Sequence, residues 1–179
     1  MPYRILNIFL FFVASFCCSS GLSWAAPDGD DNTYRTENRL FHIERSKNKN
    51  IVCYDINADA TGKPDEKQPL LVYWINREEH LGQREDLNYI QQKLAYGYTV
   101  AGNQKDAIVI GINAAKDRII TIERNEQNYF CRIEINHIPS ILTKIYIKTK
   151  TPNSLQVEYV EIMGFNLKTG APVTERIIP

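Results

Sequence analysis

Tyr129-Phe130-Cys131-Arg132-Ile133-Glu134-Ile135, followed shortly by Ile141-Leu142-Thr143-Lys144-Ile145-Tyr146-Ile147-Lys148, decides the fold class of this chain. In the first run Tyr129, Cys131, Ile133 and Ile135 alternate with Phe130, Arg132 and Glu134. In the second, Ile141, Thr143, Ile145 and Ile147 alternate with Lys144, Tyr146 and Lys148. A period of two places successive side chains on opposite faces, which is the pattern of a strand with one face buried. Isoleucine dominates both runs, and β-branched side chains suit a pleated surface.

The same period extends outward. Downstream, Leu155, Val157 and Tyr159 hold one phase, and Val160, Ile162 and Gly164 take the other, a slip that a β-bulge produces. Lys168-Thr169-Gly170 then turns the chain into a last strand near Val173. Upstream, Ile108, Ile110 and Ile112 share a face, and residues 114–117 read as a turn before a strand over 118–124. Phe41 and Ile43 alternate with His42 and Glu44, and Val52, Tyr54 and Ile56 continue on one face, so a hairpin with a five-residue connection, Ser46 to Asn50, is expected. Leu70 to Ile75 is apolar throughout and fits a central strand covered on both faces. One helix interrupts the strands: Leu87, Ile90 and Leu94 fall at i, i+3 and i+7 over residues 87–96, with Asp86 as cap and Gly97 placed for a left-handed end. Eight or nine closely spaced strands with one short α-helix predict a mainly β domain, an antiparallel β-sandwich or barrel.

The N-terminus has a different composition. Arg4 precedes an apolar run over residues 5–16, and Ser23-Trp24-Ala25 offers small residues at both positions of a signal-peptidase site. The run is short for a bilayer span, and Asp28, Asp30 and Asp31 follow. Residues 1–25 are therefore expected to be a cleaved export signal, 26–38 a flexible lead-in, and 39–179 a single β-rich domain. A periplasmic or cell-envelope location follows from that expectation. Lipidation at Cys17 or Cys18 is the lesser reading, because Phe16 stands where a small residue is needed. Cleavage after Ala25 leaves 20 Lys and Arg (21 less Arg4) against 21 Asp and Glu, a formal charge of −1. That balance argues against nucleic acid as a partner, and no second long apolar run predicts a transmembrane span in the mature chain. Cys53 and Cys131 then remain, and the sequence accommodates either a disulfide or two buried thiols.

Phe41-His42-Ile43-Glu44-Arg45-Ser46-Lys47-Asn48-Lys49-Asn50, Val72-Tyr73-Trp74, Ala95-Tyr96-Gly97-Tyr98, Gly164-Phe165 and Thr169-Gly170 together resemble a domain-of-unknown-function family (family 4833) of exported Bacteroidetes-type proteins. The resemblance runs over roughly residues 40–177. It implies a single domain and an exported bacterial address, and it brings no activity with it.

Chemistry is expected first at the hairpin. Arg45, Lys47 and Lys49 lie within five residues, separated by Ser46 and Asn48. Turn amides with Arg and Lys suit phosphate, sulfate or carboxylate, although the same composition also makes a solvated hairpin tip. Aromatics come second: Tyr73 and Trp74 point to opposite faces of one strand, and Tyr96 and Tyr98 flank Gly97 at the helix end, where they could contact a ligand or simply fill the core. Asp55, Asn57, Asp59, Thr61, Lys63 and Glu66 have the spacing of a calcium loop, but Ala60 replaces the required glycine and Pro64 intrudes, so an Asx-rich loop is expected and no metal. Catalytic elbows, zinc spacings and phosphate loops are missing, and His42 shares a strand face with Glu44, an arrangement open to an acid–base pair but commoner as an ordinary surface contact. The reading is a non-enzymatic exported β-domain that binds a small polar or anionic ligand or an envelope protein, without a cofactor. The alternative is a hydrolase or transferase whose pocket joins the 41–50 hairpin to the 95–98 helix end.

Overall fold

The computed structural model describes residues 36–104, 107–126, 128–151 and 156–179. The expected export signal, its cleavage site and most of the lead-in lie outside the described residues. Within them, eleven strands and one helix follow in order: β1 Arg39–Arg45, β2 Asn48–Ile56, β3 Leu70–Ile75, β4 Arg84–Asp86, α1 Tyr89–Leu94, β5 Tyr98–Gln104, β6 Ala107–Ile112, β7 Ala115–Arg124, β8 Tyr129–Ile135, β9 Ile138–Thr149, β10 Val157–Asn166 and β11 Pro172–Ile177. The protein is mainly β, and its sheet is curled and open.

The two runs that decided the class become β8 and β9, and β9 is the hub of the sheet. From Ser140 to Thr149 it pairs antiparallel with β10, from Ser140↔Asn166 to Thr149↔Val157. On its other edge Ile138 to Ile141 pair with β8, and Lys144 to Ile147 pair with β1. The sheet thus forks at β9 into a wing β8-β7-β6-β5 and a wing β1-β2-β3-β4. The β1–β9 pair is parallel, which an all-antiparallel expectation did not include. It arises because β1 and β9 are not neighbours in sequence, so no tight hairpin forces them to run in opposite directions.

Both wings contribute to one core. Phe41, Val52, Tyr54, Leu70 and Trp74 from the first wing pack with Ile110, Ile120, Ile122, Cys131 and Ile133 from the second. Phe41 and Tyr54 stack with ring centroids 4.2 Å apart. Hydroxyls reinforce the join: Tyr54 Oη donates to the Tyr96 carbonyl at 2.7 Å, and Tyr98 Oη donates to the Leu70 carbonyl at 2.9 Å while accepting from its N–H at 3.0 Å. As its composition requires, β3 is buried on both faces, with Leu70 and Trp74 inside and Tyr73 and Ile75 in a second cluster with Ile51 and Cys53.

Local structure departs from expectation in five places. The β1–β2 connection is Ser46-Lys47, not five residues, because Arg45 pairs with Asn48 and both belong to strands. The β6–β7 turn is the two residues Asn113-Ala114 rather than 114–117, so β7 begins at Ala115 instead of Arg118. Helix α1 begins at Tyr89, capped by Asn88 in a reciprocal box with Gln91; Asp86 is instead held in β4 opposite Tyr73. The helix therefore keeps fewer than two turns, and Ile90 and Leu94 are exposed while Leu87 alone of the apolar stripe is buried. Gly97 does not adopt a left-handed conformation; a Cβ there would sit 1.9 Å from the Gln92 carbonyl oxygen, so glycine is required by close approach. The slip near Tyr159 is a bulge: Val157 and Tyr159 face the adjacent residues Thr149 and Lys148.

Cys53 and Cys131 are both buried and not disulfide-bonded. They belong to different clusters on the two sides of the sheet, and burial pushes the Cys131 thiol pKa strongly upward.

Candidate functional site

At the end of the β1–β2 hairpin, strand alternation divides three consecutive residues. Ile43 faces the core, Glu44 faces outward beside Tyr146 of β9, and Arg45 turns in again. The Arg45 guanidinium carbon lies 4.9 Å from the Trp74 ring centroid and 5.6 Å from that of Tyr96. Those two rings meet edge to face at 5.2 Å, and Trp74 Nε1 donates to Gln91 Oε1 at 3.3 Å. A guanidinium over desolvated aromatic faces is held by the ring quadrupoles and by packing of its stem. Burial raises the Tyr96 hydroxyl pKa, opposed by the charge and hydrogen bond of Arg45.

On the outer side Glu44 gathers hydrogen-bond donors and cations. His42 Nε2 donates to Glu44 Oε1 at 3.3 Å, Lys144 Nζ lies 3.2 Å from Oε2, and Arg77 reaches to 4.0 Å. The His42 hydrogen bond lowers the Glu44 pKa from 4.5 to about 2, with the Lys144 charge acting in the same sense and burial opposing.

Between these groups lies a cleft of about 190 Å³ lined by Glu44, Arg45, Asn48, Lys49, Arg77 and Tyr146. Three cationic side chains and one carboxylate face it. Two lining atoms, Arg45 Nε and Asn48 Oδ1, are buried without a hydrogen-bond partner within the protein. A buried donor and a buried acceptor left open at one cleft would both be satisfied by a polar ligand.

Of the residues singled out from sequence, the fold brings Arg45, Trp74 and Tyr96 together, with Lys49 on the cleft wall. Trp74 and Tyr96 brace Arg45 from behind rather than line the cleft. Ser46 is engaged elsewhere: its hydroxyl lies 3.1 Å from Thr149 Oγ1 and accepts from Thr149 N–H at 3.0 Å. Lys47 is exposed at the tip, and Lys49 N–H donates to Glu78 Oε1 at 3.2 Å. Tyr98 serves the join between the wings. Tyr73 belongs to a separate buried network, in which Asp55 accepts from Arg39 Nε, from the Tyr73 hydroxyl and, at 3.1 Å, from Thr36. Arg84 closes over the Tyr73 ring at 3.7 Å.

Arg77, Lys144 and Tyr146 were not legible as site residues. Arg77 follows β3 in a connection, and the other two lie on β9; only the parallel β1–β9 register brings Tyr146 beside Glu44. In the acidic loop, Asp59 accepts from Thr61 N–H, Thr61 Oγ1 and Lys63 N–H, and Asp65 from Lys67 and Gln68 N–H, so both carboxylates organise Asx turns while Asp55 faces Arg39. Among the described residues, no helix is long and apolar enough to cross a membrane.

No curated protein and no solved structure matches the chain. The domain of unknown function DUF4833 matches residues 41–176, a span that begins at the second residue after the start of β1, takes in every lining residue of the cleft and ends within β11. With that match over three quarters of its length, the chain belongs to the DUF4833 family.

Proposed function

We propose that this is an exported, non-enzymatic binding domain that takes a small polar or anionic group into the cleft at the end of the β1–β2 hairpin. The observation that carries the reading is the pair of buried, unpartnered atoms, Arg45 Nε and Asn48 Oδ1, at a cleft where Arg45, Lys49 and Arg77 outnumber Glu44. Leaving a buried polar group unpaired costs about 1–3 kcal/mol, and a ligand that pairs with it recovers that cost on binding. The Trp74–Tyr96 corner fixes the guanidinium in advance, which lowers the entropy lost when an anion docks.

Trp74 supplies a direct readout. The only other tryptophan is Trp24, so a chain starting at Ala26 has Trp74 as its single indole. Titration with inorganic phosphate, sulfate and glucuronate should change its fluorescence as the ligand pulls on Arg45. Arg45→Lys keeps the charge and loses the planar fork, and should weaken binding about tenfold. Equal affinity of wild type and Arg45→Lys would remove the cleft from the site. Mass spectrometry of the protein from its native envelope tests the export reading through a mature N-terminus at Ala26.

A further inference from the structure

The cleft has one aromatic wall, and that wall continues beyond it. Tyr146 is opposite Glu44 on one side and Glu161 on the other, and Glu161 is opposite Arg176. Opposed residues in a ladder share a face. Glu44, Tyr146, Glu161 and Arg176 therefore form one row across β1, β9, β10 and β11 on the outer surface of the sheet. Tyr159 stands beside this row, its ring centroid 6.3 Å from that of Tyr146, and it is opposite Lys148. Arg176 packs over Tyr159 at 4.2 Å and is held there by Glu161 at 2.6 Å.

A half-buried aromatic flanked by carboxylates is the chemistry of sugar contact. The ring face takes the apolar C–H side of a pyranose, and the carboxylates accept its hydroxyls. A cationic cleft at one end of the row adds a demand for an acidic substituent. Resting on the anion-cleft reading above, we infer that the ligand is an acidic saccharide: its carboxylate enters among Arg45, Lys49 and Arg77, its ring lies on Tyr146, and a longer chain continues toward Tyr159. The carboxylates beside Tyr146 favour hydroxyl-rich rings over a nucleobase, which offers them fewer hydrogen-bond donors.

Calorimetry on the chain from Ala26 tests this with five probes: inorganic phosphate, glucuronate, tetragalacturonate, maltotetraose and AMP. Tetragalacturonate is expected to bind at least tenfold more tightly than phosphate, and maltotetraose at least tenfold more weakly than tetragalacturonate. Tyr146→Ala should cost tetragalacturonate about tenfold more affinity than it costs phosphate, and Tyr146→Phe, which keeps the ring, should retain most of the affinity. Unchanged melting of both variants keeps the comparison independent of folding. Phosphate binding without a preference for the uronate, a Tyr146→Ala loss equal for both ligands, or AMP binding as tightly as tetragalacturonate would each overturn the saccharide while leaving the anion cleft standing. Absence of binding by every anion would overturn the cleft itself.

Discussion

Glu44 shows how a single side chain is tuned by neighbours from three parts of the chain. Its pKa is lowered from 4.5 to about 2, chiefly by the hydrogen bond from His42. A carboxyl group with a folded-state pKa below its unfolded value stabilises the protein above the unfolded value, and that contribution disappears as pH falls through the folded one. Wild type should therefore lose on the order of 1–2 kcal/mol relative to Glu44→Gln as pH falls from about 4.5 to 2, after discounting for the partial exposure of the group. Urea unfolding at a series of acidic pH values checks the sign and the window. The buried network behaves differently. Asp55 and Arg39 have side chains 9% and 8% exposed, so removing either partner strands a charge. Asp55→Ala should cost about 3–5 kcal/mol by denaturant unfolding, and Asp55→Ala should be worse than a paired apolar replacement of both residues.

Among the elements, β9 and β10 show what a sheet demands of its backbone. At Gly164 an added Cβ would sit 2.1 Å from the Ile141 carbonyl oxygen and 3.1 Å from Ile135 Cδ1, whereas at Gly102 nothing lies within 4 Å. Gly164→Ala must push β9 and β10 apart beside the register shift between Met163 and Gly164. A destabilisation of about 2–4 kcal/mol is expected there, in the range of an overpacked core, against less than about 0.5 kcal/mol for Gly102→Ala. Thermal melts of the two variants side by side make the test. The turn between β8 and β9 is equally demanding: Asn136 and His137 have φ of 51° and 61°, the pair of positive values that a tight two-residue hairpin with the right twist needs. Asn136 also donates through N–H to Glu175 at 3.0 Å and through Nδ2 to the Thr174 carbonyl at 2.9 Å, tying that turn to β11.

Across the whole molecule, a shared core and a fork at β9 make the two wings one cooperative unit. Ion pairs complete the tie, with Arg118 of β7 meeting Glu175 of β11 at 2.6 Å. Among the described residues no disulfide adds to that cooperativity, because Cys53 and Cys131 are buried thiols on different sides of the sheet. The melting temperature should therefore be unchanged by reductant, and a thiol reagent should label both cysteines only as the domain unfolds. A reductant-sensitive melt, or an intact mass two hydrogens short, would count against the separation of the two residues.

Period and composition by themselves determined that the chain is mainly β, that β3 is covered on both faces, and that Arg45 and the aromatics of residues 73, 74 and 96 are worth attention. These properties are local: alternation depends only on the next residue or two, and burial follows from an unbroken apolar run. Sequence could not show that Trp74 and Tyr96 would converge on Arg45 while Tyr73 would go to Asp55 on the other face. Nor could it show that Arg77 and Tyr146 would complete the cleft, or that Ile90 and Leu94 would remain uncovered. Tyr146 reaches the cleft through the parallel pairing of β1 with β9, and Tyr73 reaches Asp55 through the β2–β3 register. Pairing between distant strands is chosen by the total burial and hydrogen bonding of the folded sheet, a quantity that no short stretch of sequence contains.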